Sequence, residues 1–175
     1  MFNDVCVEYM VKKKNTALDW VKQIGVVVIS IVIASFIIRF VTFDPNFSPF
    51  IGIGYMLALG VMYLGYYLYR NMSVEYEYIL TNGDMDIDKI MARSNRKRII
   101  SFKCNEFESF GKYTKGAENG KTFDTKIVAC DSLDSDDVYY CVARSAKHGR
   151  AFVLFNANER VLTAMKPFLP KEYRL

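Results

Sequence analysis

Hydrophobic and polar positions follow two regimes along the chain: long apolar runs between residues 24 and 69, then period-two alternation from residue 74 onward. The first run, Ile24 to Phe43, carries Arg39 as its one charge. As a helix it spans about 30 Å, the thickness of a bilayer's hydrocarbon layer. The second run, Phe50 to Tyr69, is uncharged and stops at Arg70. Between them lies Asp44-Pro45-Asn46-Phe47-Ser48-Pro49, too short to cross back. The pattern predicts an antiparallel transmembrane hairpin over residues 16–70, with spans at 24–43 and 50–69. A buried core element is the alternative for either run, and the flanking charges and boundary aromatics weigh against it. The first run starts too deep for a signal peptide, has no small-residue cleavage site, and is followed at once by a second span.

The boundaries carry their own signals. Thr16 with Asp19 three residues on resembles a capping box, which starts the first helix near Ala17. Trp20, Lys22, Arg39, Tyr66, Tyr67, Tyr69 and Arg70 fall at the ends of the spans, where amphipathic rings and snorkelling cations anchor a helix. Lys12, Lys13, Lys14, Lys22 and Arg70 lie on the side of both termini, and Arg39 alone lies toward the connector. The positive-inside rule then predicts a multi-pass protein of the cell membrane with both termini cytoplasmic. Ser30 and Ala34 facing Gly54, Ala58 or Gly65 would let the helices approach closely. Within residues 1–15, Phe2, Val5, Cys6, Tyr9 and Met10 share a helical face ahead of Lys12–Lys14. The segment fits either a short interfacial amphipathic helix or a flexible terminus.

In residues 74–80 (VEYEYIL), Val74, Tyr76, Tyr78 and Leu80 alternate with Glu75 and Glu77, the mark of a half-buried strand with its acids in solvent. Asn82-Gly83 predicts a tight hairpin into Met85–Ala92. A turn over Ser94–Arg98, then strands at 99–102, 121–130, 137–144 and 151–156, complete an antiparallel set. The polar stretch Gly111–Thr122 reads as an extended loop or a disordered connection between strands. A helix over 157–169 closes the chain, with Asn156 and Glu159 as its cap signal and Val161, Leu162, Met165, Phe168 and Leu169 as its stripe. The predicted class is α+β: a transmembrane α-hairpin, then a small antiparallel sheet or partial barrel over 71–175 with a C-terminal capping helix.

The chain has 175 residues, half of them apolar, and a formal charge of +4. That balance excludes wholesale disorder, and no segment has the basic excess on which nucleic-acid binding relies. Mean hydropathy of +0.06 is high for so charged a chain and reflects the two runs.

Candidate chemistry is sparse. Asp84, Asp86 and Asp88 alternate like the start of a calcium loop, but Lys89 and Asn95 stand where such a loop needs Gly and Glu, so a solvent-facing strand edge is the simpler reading. Cys6, Cys104, Cys130 and Cys141 show no paired spacing, and His148 is the one histidine, so neither a metal nor another cofactor is expected. A Cys–His nucleophile pair would need His148, in the turn Lys147-His148-Gly149-Arg150, beside a cysteine. Glu106 and Glu108 share a strand-like face without a recognisable pocket. Arg93, Arg96, Lys97 and Arg98 form the densest basic cluster, suited to anionic headgroups or to a soluble connection. The acidic run Asp131–Asp137 is its counterpart, facing away or meeting a basic partner.

The order of elements in YEYILTNGDMDIDKIMARSNRKRIISF, together with the closing strand and helix AFVLFNANERVLTAMKPFL, resembles the bacterial PH-like domains that follow helical hairpins in small membrane proteins. The resemblance covers 24–170 as an architecture. It implies a membrane-tethered binding role with no catalytic residue to carry over. The expected function is thus a membrane-anchored, non-enzymatic binding or scaffolding protein, its partners the lipid bilayer and a membrane or cytoplasmic protein or peptide. The alternative is a small membrane enzyme or an accessory subunit of a transporter or membrane complex, weakened by the lack of paired acids or histidines in the spans.

Overall fold

The computed structural model describes residues 5–44, 46–92, 94–120, 122–145 and 147–173. The chain divides into two units, Asn15–Ser73 and the remainder, Met1–Lys14 with Val74–Leu175.

The first unit is a helical hairpin. Helix α1 runs Ala17–Phe43 and helix α2 Ile51–Asn71, joined through a 3-10 turn at Ser48–Phe50. Thr16 caps α1 as its spacing predicts: its Oγ1 accepts from Asp19 N, and Asp19 Oδ2 accepts from Thr16 N. Both helices are long and apolar enough to cross a membrane. Small residues form their interface, with Ala34, Gly54, Ala58 and Gly65 buried. A Cβ at Gly65 would overlap Ser30, and one at Gly54 would overlap Val41, so close approach requires glycine at both positions. Elsewhere large apolar side chains such as Val21, Ile29, Phe36, Met56 and Leu59 are exposed along the helices.

The second unit is built on two four-stranded sheets. Strands β1 (Cys6–Lys12), β2 (Val74–Thr81), β3 (Asp84–Met91) and β4 (Asn95–Lys103) form an antiparallel meander in that order. Strands β5 (Ser109–Lys112), β6 (Thr125–Ala129), β7 (Val138–Ser145) and β8 (Gly149–Asn156) are ordered β5-β7-β8-β6. Helix α3 (Glu159–Met165) and a 3-10 turn (Lys166–Phe168) follow. Asn82 and Gly83 both adopt positive φ, so the predicted hairpin turn is present, and Phe168 packs so closely on Gly83 that a Cβ there would overlap its ring.

Several expectations need correction. Residues 6–12 form a strand, neither an interfacial helix nor a frayed end: β1 pairs along its whole length with residues 75–81 of β2 and turns Val7, Tyr9 and Val11 toward the core. The hairpin is therefore an insertion between two neighbouring strands, and Lys13 N donates to Val74 O where the chain leaves and re-enters the sheet. Residues 95–98 belong to β4 instead of a turn. Gly111–Thr122 begins in the unforeseen β5, and Tyr113, just after that strand, with Phe123, just past the stretch, covers Val142, Phe152 and Leu154 on the outer side of the second sheet. That second layer explains why β8 is buried along nearly its whole length. The β6–β8 pairing is parallel: β8 returns antiparallel to β7 and lies between it and β6, and β6 and β7 run in opposite directions. The cap of α3 is Asn158, whose side chain accepts from Val161 N, while Asn156 is buried elsewhere; the α-helix ends at Met165.

The main core lies between the sheets. Tyr78, Leu80, Met85, Ile87, Ile100 and Phe102 from the first meet Cys141, Ala143, Ala151, Val153 and Phe155 from the second, with Val161, Met165 and Leu169 added by the C-terminal segment. Inward positions alternate as the period-two pattern requires.

Candidate functional site

Three polar constellations stand out in the sheet unit, and one lies in the hairpin. The first is on the outer face of the meander. In-register pairing sets Glu77 opposite Asp88 and Asp88 opposite Arg98. Glu77 and Asp88 are 5% and 3% exposed, although their alternation predicts solvent. Two carboxylates facing each other across a ladder repel unless cations intervene. Here Arg96 pairs with Glu77 and lies 3.8 Å from Asp88. Arg98 Nε is 3.2 Å from Asp88, and its terminal nitrogen is 2.9 Å from Asp86. A bulge between Ile87 and Asp88 adjusts the register so that both arginines lie over the acids. Arg96 and Arg98 are thus engaged within the sheet, whereas Lys97 is exposed opposite Lys89. Arg93 lies outside the described residues.

The second constellation was not foreseen. Asn156, fully buried at the end of β8, accepts from Asp131 N at 2.8 Å and donates to Asp131 Oδ1 at 2.7 Å and Asp137 Oδ1 at 3.0 Å. Its backbone N donates to Tyr78 Oη at 3.2 Å, and that hydroxyl donates to Ala129 O. Asp131 Oδ2 takes Ser135 Oγ at 2.8 Å and Lys14 Nζ at 2.8 Å. Burial alone would raise the Asp131 pKa, but the bonds from Lys14, Asn156 and Ser135 outweigh it and hold the group at about 2. Burial pushes the Tyr78 hydroxyl far up, so it remains a proton donor. The acidic run does meet basic groups, but they are this chain's own: Lys14 at Asp131 and Lys115 at Asp134, the latter at 2.9 Å. Its one signal in the sequence is a polar Asn closing the apolar run of β8, a position that also fits a helix cap.

The third centres on Glu108. It receives Arg144 Nε at 3.0 Å and Arg150 Nε at 2.5 Å; slight burial opposes ionisation, and the two guanidiniums prevail to lower its pKa. Glu106 lies apart, in a short 3-10 turn at Cys104–Glu106.

The cysteines divide sharply. Cys104, Cys130 and Cys141 are buried, and Cys6 is exposed. Burial pushes the Cys104 thiol up to about 12 and that of Cys130 to about 11, and raises Cys141 as well. Cys141 belongs to the apolar core, and His148 Nε2 lies 3.0 Å from Ile99 O, so the structure does not bring them together as a nucleophile pair. Among the described residues no cluster of three or more His, Cys, Asp or Glu is placed to hold a metal ion. In the hairpin, Trp20, Lys22, Tyr66, Tyr67, Tyr69 and Arg70 are exposed near the helix ends, and Arg39 packs its guanidinium 5.9 Å from the Phe43 ring centroid.

A meander of four strands, a second four-stranded sheet and a C-terminal helix over their shared core define a PH-like domain. The chain belongs to the family described as Bacterial PH-like domain (DUF6106), whose model matches residues 3–175 and so takes in the hairpin as well as the sheets. Neither a curated protein nor a solved structure matches it.

Proposed function

We infer that this protein is a membrane-tethered binding module that presents its PH-like domain to a protein or peptide at the cytoplasmic face of the cell membrane. The observation that carries this reading is the hairpin inserted between hydrogen-bonded strands β1 and β2, its large apolar side chains exposed along both helices. So much contiguous apolar surface is unfavourable in water and favourable in hydrocarbon. The cations near the helix ends support cytoplasmic termini. Recognition falls to the domain's surface rather than to headgroup contact through Arg96 and Arg98, since those two are neutralised by Glu77, Asp86 and Asp88. The edge strand β6, on which Val128 is exposed, suits an added extended peptide strand. Binding instead of catalysis is favoured by the placement of Cys141 and His148.

Carbonate-washed membranes test the tether: the chain is expected to stay in the pellet until detergent is added, and release by carbonate overturns the reading. With Cys6→Ser as background, an impermeant maleimide should label Asn46→Cys in intact cells and leave Glu106→Cys unlabelled; the opposite pattern reverses the orientation.

A further inference from the structure

We propose that the connector end of the hairpin holds one zwitterionic phospholipid, with its phosphate on Arg39, its ammonium group on Asp44 and an acyl chain in the crevice between α1 and α2. This rests on the membrane reading above and adds a specific ligand to it.

The crevice has a volume of about 490 Å³ and is lined by apolar side chains, among them Phe36, Phe40, Val41, Phe47 and Leu57. A neighbouring cleft of about 500 Å³ shares Phe36 and Phe40 and adds Arg39, Phe43 and Asp44. A charged cleft that adjoins an apolar slot across the shared Phe36 and Phe40 side chains is the outline of an amphiphile. Arg39 stands four residues before Phe43, the last of α1, which sets it about 6 Å along the helix axis from that end, at headgroup depth. It is exposed and has no ion-pair partner among the described residues. An unpaired guanidinium next to hydrocarbon is costly, and a phosphate can meet it with two parallel hydrogen bonds. Asp44 engages Oδ1 with Asn46, at 3.0 Å and 3.1 Å, which leaves Oδ2 for a cation. One positive and one negative group match a headgroup that bears both signs. A lipid with only negative charge would set that charge against Asp44.

The full chain, extracted in mild detergent from vesicles holding equal amounts of ethanolamine-, choline- and glycerol-headgroup phospholipids, is examined by native mass spectrometry. Wild-type protein should retain the zwitterionic lipids over the glycerol lipid. Arg39→Gln should lower retention about tenfold, the loss expected for one charge-assisted contact. Arg39→Lys should restore part of it, and Asp44→Asn should remove the preference over the glycerol lipid. Helix content by circular dichroism, unchanged across the variants, separates site loss from misfolding. Equal retention of all three lipids, retention unaffected by Arg39→Gln, or a lipid-free dimer in place of the lipid-bound monomer overturns the proposal. Such a result leaves the tether standing, since only release of the chain from carbonate-washed membranes removes that.

Discussion

Lys14 Nζ lies 2.8 Å from Asp131 Oδ2, so the last residue before the helical hairpin is clasped to the loop between β6 and β7. Lys14 N also donates to Asp131 O at 2.9 Å, which ties the end of β1 to that loop through backbone as well as charge. Because Asp131 titrates in the folded chain at about 2, below its ordinary 3.8, the stability it contributes is present above pH 4 and lost as pH falls from about 4 to 2. Reduced for solvent screening, the loss is on the order of 1 kcal/mol. Urea titrations followed by near-ultraviolet circular dichroism should show this acid-limb loss in the wild type and a flatter limb in Asp131→Asn. Equal acid limbs in the two proteins would contradict the clasp.

The arginines of β4 act on carboxylates within the same sheet. Arg96→Gln leaves Glu77 and Asp88 facing each other with less compensation and should cost about 2 kcal/mol. Glu77→Gln in the Arg96→Gln background should recover part of that loss, giving a coupling above about 1 kcal/mol in a double-mutant cycle. Strictly additive losses would mean that the two side chains do not interact.

Thiol accessibility should follow burial. Under native conditions a maleimide is expected to label Cys6 and to spare Cys104, Cys130 and Cys141. Burial suppresses both access and the reactive thiolate. All four sites should label in denaturant. Rapid native labelling at Cys141, read by peptide mass spectrometry, would refute the core assignment.

Excision of the hairpin discriminates between two domain boundaries. Lys13 N and Val74 O are 3.0 Å apart, so a short Asn-Gly turn replacing residues 15–73 can close β1 onto β2. That variant should be soluble and unfold cooperatively. A fragment starting at residue 71 lacks β1 and Lys14, exposes the edge of β2 and opens the Asp131 clasp, and is expected to aggregate. Equal solubility and stability of the two proteins would show that β1 is dispensable.

Features that depend on near neighbours in the chain were legible from residue order. The apolar runs become α1 and α2, Thr16 and Asp19 cap α1, Asn82-Gly83 turns the β2–β3 hairpin, and Tyr78, Leu80, Met85 and Ile87 point inward. Each follows from helix length, dihedral preference or strand period, all set within a few residues. Residues 6–12 show the limit of such signals. Val7, Tyr9 and Val11 have strand spacing, Cys6, Tyr9 and Met10 have helical spacing, and so short a segment satisfies both. Tertiary structure chose the strand because β2, beyond the whole hairpin, offers a ladder of backbone partners and an apolar face. The burial of Glu77 and Asp88 beneath Arg96 and Arg98, and of Asn156 among Asp131, Asp137 and Tyr78, was decided the same way. A polar side chain stays buried only where groups distant in sequence complete its hydrogen bonds and balance its charge, and folding alone brings those groups together.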